Sequence, residues 1–239
     1  MTATLPAAGL HLNVPERVYR EWPALNQSTL KQMARTPAHA KWEIDHPREP
    51  SPEMLKGTAL HYAVLTPSLF AERIARRPDC DRRTRDGKAI YAEFVARNEG
   101  KVILSRDDHD EVVGMAEGIR RSSKAMALLE SPGACEASMV WRDPKSGLDC
   151  KGRADRITAS GMIVELKSAA SAEMDDFRRD IKRLAYHVQA AWYCWGHALA
   201  TGTPATHAMI VVENTPPHEA RVFVLDDERM ATGAVKARR

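Results

Sequence analysis

The sequence predicts an α/β (α+β) fold in which a helical N-terminal part, residues 1–100, precedes a sheet core over residues 101–239. Three observations predict it. Apolar residues recur at helical spacing between capping residues and prolines through the first hundred positions. From Ala134 to Lys167 the period shortens to that of a strand, with turn residues between three runs. A long helical stretch and two more apolar runs then follow.

The elements follow in order. Residues before Asn26 show no clear period. Either Asn26 or Ser28 caps a first helix, which Pro37 interrupts, and a second short helix follows to about Ile44. His46 to Pro52 (HPREPSP) is a loop by composition. Leu55, Ala59 and Ala63 mark a helix that Pro67 stops, with Gly57 and His61 one turn apart on it. The polar, Arg-rich stretch from Cys80 to Gly87 reads as a mobile loop before a helix over Lys88–Asn98. Lys101–Leu104 is a brief strand, and Ser105 with three acidic residues behind it starts a long helix ending near Ser131-Pro132-Gly133. Ala134–Trp141, Leu148–Ile157 and Met162–Lys167 form an antiparallel meander with a tight turn at Thr158–Gly161. One helix is expected from Glu173 to Ala200, its apolar stripe made by Phe177, Ile181, Leu184, Val188, Trp195 and Leu199. Strands over His207–Glu213 and Ala220–Leu225 complete the core.

A chain of 239 residues supports one sizeable core, so one domain is expected over residues 1–239. Its 44% apolar and 28% charged composition is that of an ordinary globular protein. No window approaches the roughly 18 consecutive apolar residues of a membrane span, and MTATLPAAGLHLNV lacks the basic start and apolar run of a secretory signal; a cytoplasmic protein is expected. Cys80, Cys135, Cys150 and Cys194 are far apart and form no C-x-x-C pair, so they read as reduced and mostly buried. The net charge of +3 is too small to announce a nucleic-acid partner by itself. Arg76-Arg77, Arg82-Arg83 with Arg85, Arg120-Arg121 and Arg178-Arg179 with Lys182-Arg183 are basic knots that suit phosphates and solvated faces alike.

The chemistry concentrates in the central hairpin. In LDCKGRADR, Leu148, Cys150, Gly152 and Ala154 alternate with Asp149, Lys151, Arg153 and Asp155, the pattern of a half-buried strand. In MIVELK, Met162, Val164 and Leu166 alternate with Ile163, Glu165 and Lys167. A turn near Ala159-Ser160 sets Asp155 opposite Glu165 or one residue out of register, with Lys167 two residues on along the same face. Two carboxylates about 5 Å apart repel by roughly 3 kcal/mol at an effective dielectric near 20. A divalent cation compensates them, and oxygen ligands without paired thiols favour Mg²⁺ or Mn²⁺ over zinc. Such an ion beside an ammonium suits phosphodiester hydrolysis.

Four segments in order, Gly57-Thr-Ala-Leu-His61, Gly152-Arg-Ala-Asp155, Val164-Glu165-Leu-Lys167-Ser and Gln189-Ala-Ala-Trp-Tyr193, together resemble the PD-(D/E)XK nucleases, in particular their exonuclease VIII (RecE-like) phage and prophage branch. Leu25-Asn-Gln-Ser-Thr-Leu-Lys and Thr36-Pro-Ala-His add to the resemblance, which covers most of the chain. It implies a restriction-endonuclease-like core, a central mixed sheet flanked by helices. It further implies that Asp155, Glu165, the Leu166 carbonyl and His61 are metal ligands and that Lys167 is the catalytic lysine. Gln189 and Tyr193 match an element that supports the site or contacts DNA, and as plain helix residues they equally suit packing at the edge of the apolar stripe. Glu136, on the preceding strand, fits an acidic site residue and an exposed strand residue equally well. The proline of the family's nominal P-D pair is absent, with Ala154 in its place. By resemblance, the chain digests linear double-stranded DNA from 5′ ends, forms ring-like homo-oligomers and works with a single-strand annealing protein in recombination. An endonuclease and a non-catalytic DNA-binding module of the same fold are the competing readings.

Overall fold

The computed structural model describes residues 4–46 and 49–237. A short strand, β1 (Gly9–His11), and helix α1 (Glu16–Glu21) open the chain, where no regular period was visible. Asn26 is the residue that caps α2 (Gln27–Met33), its side chain accepting from the Thr29 amide at 2.8 Å. Pro37 begins the next helix, α3 (Pro37–Asp45), because its missing N–H costs nothing at the first helical position. The same arrangement opens α4 (Pro52–Leu65) behind a Ser51 cap and α5 (Pro67–Arg73). Within the expected loop from His46 to Pro52, Pro47 and Arg48 lie outside the described residues, and the remainder up to Ser51 is irregular.

Strand β2 (Ile74–Arg76) was not foreseen. It pairs in parallel with β3 (Val102–Leu104), the brief strand expected there. Between them α6 (Arg85–Arg97) starts three residues early, because Thr84 caps it by accepting from Gly87 N–H at 3.0 Å. The single helix expected after Ser105 is two, α7 (Arg106–Arg121) and α8 (Ser123–Glu130). Ser122 separates them with an extended backbone, and its hydroxyl caps α8, a local bond that competes with helix continuation.

The meander forms as expected from β4 (Gly133–Arg142), β5 (Asp149–Thr158) and β6 (Met162–Ala169), and Gly161 supplies the positive φ of +82° that the β5–β6 turn requires. The helix expected over residues 173–200 is also two, α9 (Met174–Arg183) and α10 (Tyr186–Thr201). Ala185 stands between them in the left-handed region at φ +57°. The break resets the helical phase, so Leu199 is exposed, and the buried face of α10 runs instead through Val188, Trp192 and Tyr193. Strands β7 (Thr206–Glu213) and β8 (Ala220–Val224) follow, and an unforeseen helix, α11 (Asp227–Ala237), ends the described chain. Gly233 argues against a helix by propensity, but a Cβ there would lie 2.1 Å from the His187 carbonyl oxygen, so only glycine lets α11 pack this closely onto α10.

The main sheet is mixed and six-stranded in the order β1-β4-β5-β6-β7-β8; β6 and β7 are parallel and joined through α9 and α10, and its other neighbours are antiparallel. Val164, Leu166, Ile210 and Val212 face α4, α7 and α8. Ile163, Met209 and Val211 face the opposite layer of α9 and α10. Strand β5 is not half-buried as its alternation implied. The N-terminal segment covers its polar side, and Lys151, 3% exposed, donates to the carbonyls of Tyr19, Arg20 and Trp22 at 2.9, 3.1 and 2.7 Å, satisfying the C-terminal end of α1. All four cysteines are free, but only Cys150 is fully buried. Among the described residues no helix is long and apolar enough to cross a membrane.

Candidate active site

The β5–β6 ladder pairs Arg156 with Val164 and Ile157 with Ile163; continuing that register sets Asp155 opposite Glu165, the in-register alternative of the two that the turn allowed. The ladder stops there. Asp155 Oδ2 accepts the Leu166 N–H at 2.7 Å, so a carboxylate takes over the role of a strand carbonyl. On the other side of β5 the pairing with β4 lapses at the same level, between Ala137–Ala154 and Cys135–Arg156, where Glu136 has φ +51°. Ala154 and Ile157 both enter the α10-side core although three residues apart, which a strand of period two does not permit. The face of the sheet therefore changes over at Glu136 and Asp155, and their carboxylates emerge where the strands splay.

Glu165 is 2% exposed. Its Oε2 accepts from Lys167 Nζ at 3.0 Å and from Gln189 Nε2 at 3.1 Å, while its Oε1 has no partner. A buried acceptor left unpaired costs on the order of 1–3 kcal/mol, so this oxygen marks a place prepared for something else. Burial, and then the nearby Asp155 charge, raise the Glu165 carboxyl well above the ordinary range against the opposing pull of Lys167. Burial disfavours the Lys167 ammonium, but Glu165 and Asp155 outweigh it and raise its pKa, so the side chain stays protonated. The Lys167 ammonium also lies 5.2 Å from the centre of the Tyr186 ring.

His61, on α4, reaches the centre from the opposite layer, its Nδ1 3.5 Å from Asp155 Oδ1. His61, Glu136 and Asp155 each offer a ligand atom, all within 4.8 Å of one another. The structure thus draws in Glu136, which the sequence left open, whereas Glu165 lies outside this trio and faces Lys167 and Gln189. Burial and the Asp155 charge push the Glu136 carboxyl upward, and Arg153 opposes them. Leu166 contributes main chain at this point, while its side chain is in the α4-side core. Gln189 Nε2 also approaches Tyr193 Oη at 3.5 Å, and both residues sit on α10 one turn apart. Tyr193 gives the glycine of Gly152-Arg-Ala-Asp155 its reason: a Cβ at Gly152 would stand 3.0 Å from the tyrosine ring. Gly57 is different, with open space where its Cβ would be.

Arg153 and Tyr186 gave no signal in the sequence. Arg153 read as one of a series of solvated strand residues. It is instead held by Ser138 Oγ at 3.1 Å and the Val14 carbonyl at 2.6 Å, over the Tyr19 ring and 3.8 Å from Glu136. Clefts of about 400 and 450 Å³ open on either side of Glu136 and Arg153; one reaches Asp155 and Tyr193, the other His61. The donor set of carboxylates and one imidazole without thiolate, together with the unpaired Glu165 oxygen, fits a hard divalent cation.

A family model described as a PDDEXK-like domain of unknown function (DUF3799) matches residues 26–239. Among solved structures, one described as "Putative exonuclease" from Eubacterium rectale superposes with a TM-score of 0.68 at 13% identity, covering 96% of this chain and 84% of that one, a likeness of fold. A second, described as SSO0001, reaches a TM-score of only 0.32 at 15% identity, covering 78% of this chain and 83% of that one. No curated protein matches the chain.

Proposed function

The chain belongs to the family of PDDEXK-like domains of unknown function (DUF3799), and from that premise we propose that it is a metal-dependent nuclease that digests linear double-stranded DNA from its ends. One observation carries the reading: Asp155, Glu165 and Lys167 converge at the splayed end of the β5–β6 ladder, and the buried Glu165 keeps an oxygen unpaired.

Asp155, Glu165, His61 and the Leu166 carbonyl are the groups that would hold Mg²⁺, or Mn²⁺ in its place, with Glu136 beside them. When bound, such an ion supplies Lewis-acid polarisation of a phosphoryl oxygen and offsets the repulsion between the carboxylates. Lys167 carries a positive charge on the same face as Glu165, placed to donate to the attacking water or to the charge that develops on phosphorus-bound oxygens. Gln189 positions Glu165 by occupying its Oε2, which leaves Oε1 without a partner, and Tyr193 supports Gln189. Arg153 and Lys151 hold the N-terminal segment over β5 and so shape one wall of the cleft.

Action at ends, 5′-to-3′ direction, a role in phage-type recombination beside a single-strand annealing protein, a ring-like homo-oligomer, one nuclease domain and a cytoplasmic setting all rest on the resemblance to the exonuclease VIII branch. The test uses duplexes labelled at the 5′ or 3′ end and covalently closed circles, each with Mg²⁺ or with chelator. Linear DNA should disappear only with Mg²⁺, the 5′ label should be released first, and circles should survive. Cut circles would make the protein an endonuclease, and binding without cleavage in Mg²⁺ would make it a DNA-binding module.

A further inference from the structure

The basic runs of the sequence meet different fates in the fold. Arg76 pairs with Asp110 at 3.2 Å and Arg83 with Asp81 at 3.1 Å, while Arg120 and Arg121 donate to the carbonyls of Ala63 and Pro217 at 3.2 and 2.7 Å. Arg178 and Lys182, one turn apart on α9, instead line a cavity of about 270 Å³ to which α11 adds Arg229 and Lys236 and α10 adds His187. Among the described residues Glu228 is the one carboxylate on its lining.

The cavity is built rather than incidental. His187 is buried, with Nδ1 3.2 Å from the Ile181 carbonyl and Nε2 3.3 Å from Lys236 Nζ. A carbonyl only accepts and an ammonium only donates, so these partners assign a neutral ring with its proton on Nδ1, and Nε2 aims the lysine. The close approach at Gly233 holds α11 in place for this contact. Arg178 and Arg229 pair with Asp175 and Asp226 three residues away at the exposed surface, and pairs of that kind contribute little and exchange readily for another anion. The Lys182 ammonium has no hydrogen-bond or ion-pair partner among the described residues.

The cavity and the acidic centre share the first turns of α10. The Tyr186 ring lies beside Lys167, His187 lines the cavity and Gln189 holds Glu165. The two sites therefore draw on neighbouring residues of one helical turn, His187 toward α9 and α11 and Gln189 toward β6. We propose that this cavity binds a backbone phosphate of the DNA strand engaged at the active centre, an assignment that rests on the nuclease reading above.

The test is the binding of a fluorescein-labelled blunt duplex, followed by anisotropy in chelator over a range of NaCl concentrations, so that no cleavage is needed. The Lys182→Gln/Lys236→Gln variant should bind more weakly and lose about 1 from the magnitude of the slope of log affinity against log salt. If the double variant melts early, Lys182→Gln alone carries the same comparison, because it removes no contact seen among the described residues. An unchanged slope overturns the proposal even if the wild type digests DNA. A reduced slope sustains it even if the wild type proves unable to cleave. Displacement of bound polyglutamate by the substitutions, with duplex binding unaltered, overturns it in favour of an acidic protein segment.

Discussion

Replacing His207 with leucine should make the protein resist mild acid. The imidazole lies in β7 opposite Ile163, is 4% exposed, and has no partner for either ring nitrogen. Burial, and secondarily the Lys167 charge, hold its pKa down at about 3 against an ordinary value of 6.5. A histidine depressed in the folded state contributes stability that is present above 6.5 and is lost as pH falls toward 3, because over that window only the unfolded chain takes up the proton. With 1.36 kcal/mol per pKa unit, the loss is about 2 kcal/mol by pH 5 and roughly 4 kcal/mol at pH 3. The first figure is already a large part of a typical net stability of about 5–15 kcal/mol. The assay is urea unfolding by tryptophan fluorescence at pH 7 and pH 5 for wild type and His207→Leu, provided both show equal m-values. Other groups titrate alike in the two proteins, so the difference between their pH dependences isolates His207. Parallel losses in wild type and variant would refute the reasoning and show that the ring takes up its proton in the fold at little cost.

Asp155→Asn keeps an oxygen to accept the Leu166 N–H and removes the charge that repels Glu165, so melting in chelator should be unchanged or higher while Mg²⁺-dependent digestion disappears; a clear fall in Tm would show that the charge, not the acceptor, holds the hairpin. Lys167→Met should lower the initial digestion rate by about two to three orders of magnitude, the scale of losing a preorganised charge stabiliser, and near-wild-type rates would remove its assigned role. Gly57→Ala should stabilise α4 by about 0.8–1 kcal/mol in urea titrations, since its Cβ meets nothing within 4 Å, and a destabilised variant would contradict that open space.

The elements legible in the sequence are those whose signal is local. Asn26, one of the two candidates, and Ser105 cap helices where expected, and the alternation in MIVELK separates Val164 and Leu166 from Ile163 and Glu165 onto opposite faces of the sheet. The three-residue strands β1 and β2 are too short to show a period and exist because a neighbouring strand accepts them. The breaks at Ser122 and Ala185 are invisible to helical periodicity, which runs through them unaltered.

By itself the sequence determined that β5 and β6 form a tight hairpin and that Glu165 and Lys167 share one face of β6, because a backbone of period two and a short turn leave few other arrangements. Only the tertiary structure decided that Lys151 is buried, that Glu136 joins His61 and Asp155, and that Gln189 takes one Glu165 oxygen and leaves the other free. Burial and unmet hydrogen bonds depend on segments more than a hundred residues away, as between Lys151 and the end of α1, and no local pattern encodes which distant segment will cover a strand.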